Sequence, residues 1–280
     1  LPRGAARGSL GALQDDEDHM LIVTSRAEAA ARARVIQVNG REYTIDEYVG
    51  SAPKKGMYVE GNETNDDGRP QGFLVHQPPN AVTPAHFHEP NQFQVFVFGK
   101  GRMGAAPTSP LTVQYANGHT PYGPIVAGDE GVQYFTLRQR WDPGAKYLPG
   151  AMPLLRKGNQ RTRLKSGIAV AEPAERLART ETSVETVLKP EADGLAAWVW
   201  RLGPSGAATL PAPAEGGGQY LIVTAGDLVA GAETLDRHST VYIAPEEPAF
   251  AVTAGAAGLD LLVLQFPRLG ETLSGGASRV

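Results

Sequence analysis

Pro84-Ala85-His86-Phe87-His88-Glu89-Pro90-Asn91-Gln92-Phe93-Gln94-Val95-Phe96-Val97-Phe98-Gly99 joins a His-x-His pair to an apolar run that ends on glycine. On an extended strand, alternation sends His86 and His88 to one face, where both imidazoles can reach one metal ion. The run recurs without its histidines. A shift of 127 positions (219 − 92) lays Gln92 to Gly99 on Gln219-Tyr220-Leu221-Ile222-Val223-Thr224-Ala225-Gly226 without a gap. The same shift puts Pro84-Ala85 on Pro211-Ala212, Pro121 on Pro248, and Ala127-Gly128-x-x-Gly131 on Ala254-Gly255-x-x-Gly258. One supersecondary plan is written twice.

These residues resemble the cupin superfamily, and their duplication resembles a bicupin, a chain of two small jelly-roll barrels. The family's first motif reads Gly, five residues, His-x-His, three or four residues, Glu, six residues, Gly; Asn80, His86, His88, Gln92 and Gly99 fall in its register. Asn80 replaces the first Gly, a mild change because Asn tolerates the left-handed backbone. Gln92 replaces the Glu. The family's second motif supplies a further His near a Pro-x-Gly turn. Ile243-Ala244-Pro245-Glu246-Glu247-Pro248-Ala249-Phe250 resembles that turn, with Ala249 where the His would stand, and the repeat offset puts Tyr122 at the matching place, three residues after His119. The resemblance implies an all-β chain of tandem cupin double-stranded β-helix (jelly-roll) barrels with minor helix, the second barrel degenerate. It also implies a homodimer.

At 280 residues the chain is long enough for two domains with ordinary cores. Its net charge of −4 argues against a general nucleic-acid surface, and no apolar run approaches the roughly 18 residues of a membrane span. Cysteine is absent, which excludes disulfides, thiolate ligands and a Cys nucleophile. Residues 1–19 read as a leader of cloning origin before Met20, 20–145 as the N-terminal barrel, 146–185 as a linker, 186–270 as the C-terminal barrel and 271–280 as a Gly- and Ser-rich tail. A cytoplasmic location is the expectation for such a chain. Helix is expected at Ser25 to Arg34 and, in short form, at Glu172 to Thr180. A hairpin is expected about Asn39-Gly40. The basic residues Arg156, Lys157, Arg161, Arg163 and Lys165 read as a solvated part of the linker.

The resemblance implies one divalent transition metal (Fe, Mn, Ni, Cu or Zn) in the N-terminal barrel, with His86, His88 and Gln92 as ligands. Two neutral imidazoles suit all five ions, whereas Gln92 brings only an amide oxygen and no charge. Glu89 is a reserve ligand. Tyr122 and His119 are candidates for proton transfer or for completing the site. Gln94, Phe96 and Phe98 share parity with Gln92, and His76 lies on the preceding strand; these four are the expected substrate pocket for a small organic molecule. In the second copy Pro213 and Glu215 take the His positions, so no metal is expected there.

Two functions follow. One is a metal-binding small-molecule oxygenase or oxidoreductase acting in the N-terminal barrel. The other is a non-catalytic bicupin that binds a small ligand or serves as a scaffold. A Gly-x-Ser-x-Gly elbow, a phosphate loop and a dinucleotide fingerprint are all missing from the sequence.

Overall fold

The computed structural model describes residues 20–53, 55–158, 160–231 and 233–270; the expected leader and the tail at 271–280 lie outside the described residues. Strand β1 (Leu21–Thr24) precedes helix α1 (Arg26–Ala31), which the sequence sets up with a capping box: the Ser25 hydroxyl accepts from Glu28 N and the Glu28 carboxylate accepts from Ser25 N. The hairpin of β2 (Arg34–Val38) and β3 (Arg41–Val49) turns at Asn39 and Gly40, whose φ angles of 48° and 73° are those such a turn needs.

Short strands then follow: β4 (Gln71–Gln77), β5 (Val82–Thr83), β6 (His86–Phe87), β7 (Gln92–Phe98), β8 (Gly101–Met103), β9 (Ala106–Thr108), β10 (Thr112–Ala116), β11 (Ile125–Ala127), β12 (Val132–Arg138) and β13 (Lys146–Tyr147). After β14 (Thr162–Lys165) and helix α2 (Pro173–Leu177) come β15 (Ser183–Leu188), β16 (Ala196–Leu202), β17 (Ala207–Thr209), β18 (Gln219–Ala230), β19 (Glu233–Leu235), β20 (Thr240–Ile243) and β21 (Ala251–Gln265). The architecture is all-β with short helices.

One large sheet runs β14-β10-β7-β12-β4-β3-β2, and a smaller one runs β5-β11-β8-β9. Ile36, Tyr43, Phe73 and Val75 from the first meet Met103, Ile125 and Ala127 from the second, and this is the interior of the N-terminal barrel. The second large sheet runs β1-β20-β18-β21-β16-β15, with its interior built on Leu221, Val223, Val241, Leu261 and Val263. The largest core lies between the barrels. Phe93, Val95 and Val97 of β7 face Tyr220, Ile222, Leu262 and Phe266 there, with Phe93 and Phe266 edge to face at 4.9 Å. Each such side chain contributes about 1.5–3 kcal/mol on burial. Strand β7 is therefore buried on both faces, which is why its sequence reads as an unbroken apolar run.

Strand pairing crosses the expected domain limits. β1 pairs with β20 in the second sheet, β13 pairs with β6, and β14 pairs with β10 in the first. The stretch 146–185 is thus no bare connector: Ile168 is buried in the core between the barrels, and Arg161 pairs with Glu191 and Asp193 at 2.8 and 2.7 Å.

The repeat is visible in backbone register. Arg138 pairs with Gln92 and Ala116 pairs with Gln92 in the first barrel; Gln265 and Ile243 pair with Gln219 in the second, each partner 127 positions on. Gly99 and Gly226 both adopt φ of 73°, and a Cβ there would lie 2.0 Å from Gly131 O and 1.9 Å from Gly258 O respectively. Gly99→Ala is expected to cost more than about 2 kcal/mol, because it adds a backbone clash to a left-handed angle that alanine avoids. Urea unfolding checks this, and a loss under about 0.5 kcal/mol would refute the packing argument.

Candidate functional site

His86 and His88 reach the interior because β6 alternates about Phe87, which turns the other way. The loop that follows β10 docks on this strand through backbone bonds: His86 and Tyr122 exchange N–H···O bonds of 3.1 and 3.0 Å, and His119 N donates to His88 O at 2.7 Å. The two imidazoles lie nearly perpendicular, ring centres 5.1 Å apart, and the Tyr122 ring sits 4.5 Å from His86. Each imidazole is oriented by its Nδ1–H. His86 donates to Pro84 O at 2.7 Å and His88 to Asp142 Oδ1 at 2.7 Å, which leaves a lone pair on both Nε2 atoms.

Asp142 is wholly buried and also accepts from Glu89 N and Gly144 N, at 3.1 and 2.9 Å. Beside it lies a residue that the sequence argument passed over. Arg138, 2% exposed, donates from Nε to Gln92 Oε1 (3.2 Å) and from Nη1 to Gln71 Oε1 (3.1 Å), and its Nη1 is 3.8 Å from Asp142. Its Nη2 lies 3.1 Å from both ring nitrogens of His88, which places the guanidinium over the imidazole face and leaves the in-plane lone pair of Nε2 free. Phe73 covers the guanidinium from 5.4 Å.

Burial holds both imidazoles neutral. For His86, burial and then the neighbouring His88 push the pKa down to about 3; for His88, burial and then Arg138 push it down to about 4. Burial alone would raise the Asp142 carboxyl, but His88 and Arg138 outweigh it and hold the group well below the usual carboxylate range. The Tyr122 phenol is pushed up by burial and is bonded to the Gln92 amide nitrogen.

A cavity of about 60 Å³ opens beside the histidines, enough for a few waters or for an organic molecule of roughly two to four heavy atoms, well below the size of a benzene ring. His86, His88, Gln94, Thr136, Arg138 and Tyr147 form its polar end, and Ile45, Phe73, Val75 and Tyr134 are among its apolar walls. Gln94 is 2% exposed, and its Oε1 has no hydrogen-bond partner.

The structure thus gathers His86, His88, Gln92 and Tyr122 and puts Gln94 on the cavity wall, but it places five other residues away from their expected positions. Phe96 packs in the barrel core against Tyr134, ring centres 5.1 Å apart, and is not a wall residue. Phe98 is 44% exposed: a register shift pairs Phe98 with Gln133 but Phe96 with Tyr134, and this bulge reverses its parity. His76 lies outside, bonded to Asp46 at 2.8 Å, because Phe73 and Val75 take the inward positions of β4. Phe98 and His76 instead line an outer groove with Glu42 and Glu130. His119 turns away from the cavity, its ring 5.4 Å from Phe87 and its Nδ1 accepting from Arg156 N at 3.3 Å. Glu89 is drawn off by Lys146 at 2.8 Å.

A candidate dioxygenase of Nostoc punctiforme shares this architecture with a TM-score of 0.58 at 12% identity, over 92% of this chain and 85% of that one. An oxalate decarboxylase of Lactobacillus farciminis, solved as a formate complex, gives 0.52 at 12% identity over 92% and 88%. A bacterial pirin of Escherichia coli in complex with nickel(II) gives 0.51 at 9% identity over 89% and 100%. The chain has the cupin fold. Identities this low speak to the fold and not to the chemistry. No protein-family model and no curated protein matches the sequence.

The metal that the cupin fold suggests can be tested against these side chains. Two neutral Nε2 donors are present, but Gln92 Oε1 is taken up by Arg138, and among the described residues no three His, Cys, Asp or Glu side chains converge. The fixed guanidinium adds repulsion: at about 4 Å and an effective dielectric near 20, two unit charges repel by about 4 kcal/mol, and a dication doubles that. Asp142 offsets part of it. As a set, the residues do not fit a divalent ion.

Proposed function

We propose that this cupin-fold chain binds a small, uncharged organic molecule in the cavity of its N-terminal barrel. The observation that carries the reading is the buried, unpartnered Oε1 of Gln94 on the cavity wall. A buried acceptor left unmade costs about 1–3 kcal/mol, so a ligand hydroxyl or N–H that draws the Gln94 amide oxygen round to the cavity recovers that amount. Neutral His86 and His88 offer no charge, and Arg138 and Asp142 compensate one another. The polar end therefore favours a neutral head group, while Ile45, Phe73 and Tyr134 favour a compact apolar body.

Thermal-shift titration with formamide and acetamide, and with formate and acetate as their anionic counterparts, tests this. The neutral probes are expected to raise Tm and the two anions to leave it unchanged. Gln94→Leu is expected to weaken the neutral probes by about tenfold and to leave the free protein as stable or more so, since the unmade acceptor is gone. Equal binding by wild type and Gln94→Leu would end the proposal.

A metal-dependent oxygenase or oxidoreductase is the competing reading. It is favoured by the two Nδ1–H bonds, which fix both imidazoles in the tautomer that a metal requires, and by the fold shared with the nickel-bound pirin. The metal-content measurement below decides between the two.

A further inference from the structure

The two barrels allow one position to be read twice. Arg138 on β12 lies opposite Gln92, and Gln265 on β21 lies opposite Gln219, 127 residues further along in both cases. In the second barrel, Gln219 Nε2 donates to Gln265 Oε1 and to Pro211 O, both at 2.9 Å, and Gln265 Nε2 donates to Gly194 O at 2.8 Å, an uncharged arrangement that leaves Gln219 Oε1 without a partner. In the first, the same position carries a guanidinium that reaches Gln92, Gln71 and His88 and is neutralised by a wholly buried carboxylate. The fold therefore accommodates Gln at this position, and the N-terminal barrel departs from it by installing a charge beside its histidines.

The geometry points to Arg138 as a tethered cation that stands in for a metal ion in the N-terminal barrel and excludes divalent ions from it. A metal would take a lone pair from the side chain at position 92 and bring its charge beside His88; Arg138 satisfies Gln92 Oε1 with Nε–H and already holds a positive charge over the His88 ring. Gln92 belongs to the same arrangement, because its oxygen is an acceptor matched to Arg138 Nε and its amide nitrogen is a donor matched to Tyr122 Oη. Asp142 then serves as counter-ion and as the partner that orients His88. This assignment rests on the donor set alone: the Gln94 titration can fail while it stands, and the reverse.

The test is metal content. Untagged wild type, Gln92→Glu, Arg138→Gln/Gln92→Glu and the double variant also carrying His86→Ala and His88→Ala are each incubated with Fe(II), Mn(II), Ni(II), Cu(II) or Zn(II), desalted and analysed for the element. Wild type and Gln92→Glu are expected to hold essentially none, the new carboxylate of the latter pairing with Arg138. Arg138→Gln/Gln92→Glu, folded by circular dichroism, is expected to gain about one ion per chain and to lose it when the two histidines are removed. Near-stoichiometric metal in wild type would overturn the assignment, as would its absence from the folded double variant. Should the double variant fail to fold, Gln92→Glu alone decides: stoichiometric binding with Arg138 still in place would show that the guanidinium excludes nothing, and no binding would sustain the assignment.

Discussion

Asp142→Ala is expected to remove about 3–5 kcal/mol of stability, a fall in Tm of roughly 10 °C for a chain of this size. Three hydrogen bonds meet on this carboxylate, from His88 Nδ1, Glu89 N and Gly144 N, and none of the donors has access to bulk water through a wholly buried partner. The larger part of the loss is electrostatic. Without Asp142 the Arg138 guanidinium stays buried with only neutral partners, Gln92, Gln71 and the His88 ring. Asp142→Asn is expected to recover little, since its Nδ2 would face a donor at either Glu89 N or His88 Nδ1.

A double-mutant cycle separates these parts. Arg138→Gln in the Asp142→Asn background is expected to cost less than the two single changes added together, with a coupling of about 2 kcal/mol, because the second change removes the charge that the first left uncompensated. Gln71 strengthens the coupling: its single Oε1 accepts from both Arg138 Nη1 and Asp142 N, each at 3.1 Å. Strict additivity would mean that the two groups act separately, and the tethered-cation account would lose its counter-ion.

Much of this molecule was legible in its sequence, and the limits have physical causes. The repeat survived because β7 and the first half of β18 are buried on both faces and each run stops at a left-handed glycine, Gly99 just after β7 and Gly226 within β18, pressed against a neighbouring carbonyl, so few substitutions are tolerated there. His86 and His88 followed from alternation alone. Phe98 did not, because a bulge shifts parity by one residue and leaves no mark on residue type. His76 could have been placed outside by giving Phe73 and Val75 the inward positions of the same strand. Arg138 looked like the polar end of Val132 to Leu137. Its signal lay in parity with Tyr134 and Thr136 and in the offset that sets it on Gln265 beside the Gln92 and Gln219 pair. Asp142 had no such signal. It reaches His88 from a loop after β12, with no periodicity to announce it.

Stability is expected to fall by about 4 kcal/mol between pH 7 and pH 5, and the histidines supply the reason. In the unfolded chain an imidazole takes up its proton near pH 6.5, whereas the folded values are about 3 for His86 and about 4 for His88. Both are therefore neutral when folded throughout this window, and the unfolded state binds more protons. The stabilising contribution is complete above pH 6.5 and is lost as pH falls toward the folded values, at up to about 1.4 kcal/mol per pH unit for each group. His238 has the same sign. It sits at the barrel junction, its ring 6.2 Å from Phe135, and burial followed by Arg237 and Arg26 lowers its pKa to about 4, though partial exposure makes its share smaller. The lowered carboxyl of Asp142 acts in the same direction at still lower pH. Urea unfolding at pH 7, 6 and 5 measures the slope, and His86→Gln/His88→Gln is expected to remove most of it, leaving the smaller contribution of His238. A wild-type slope that the double variant reproduces would mean that the two cavity histidines are solvated or charged in the folded protein, and the neutral pocket argued for the N-terminal barrel could not stand.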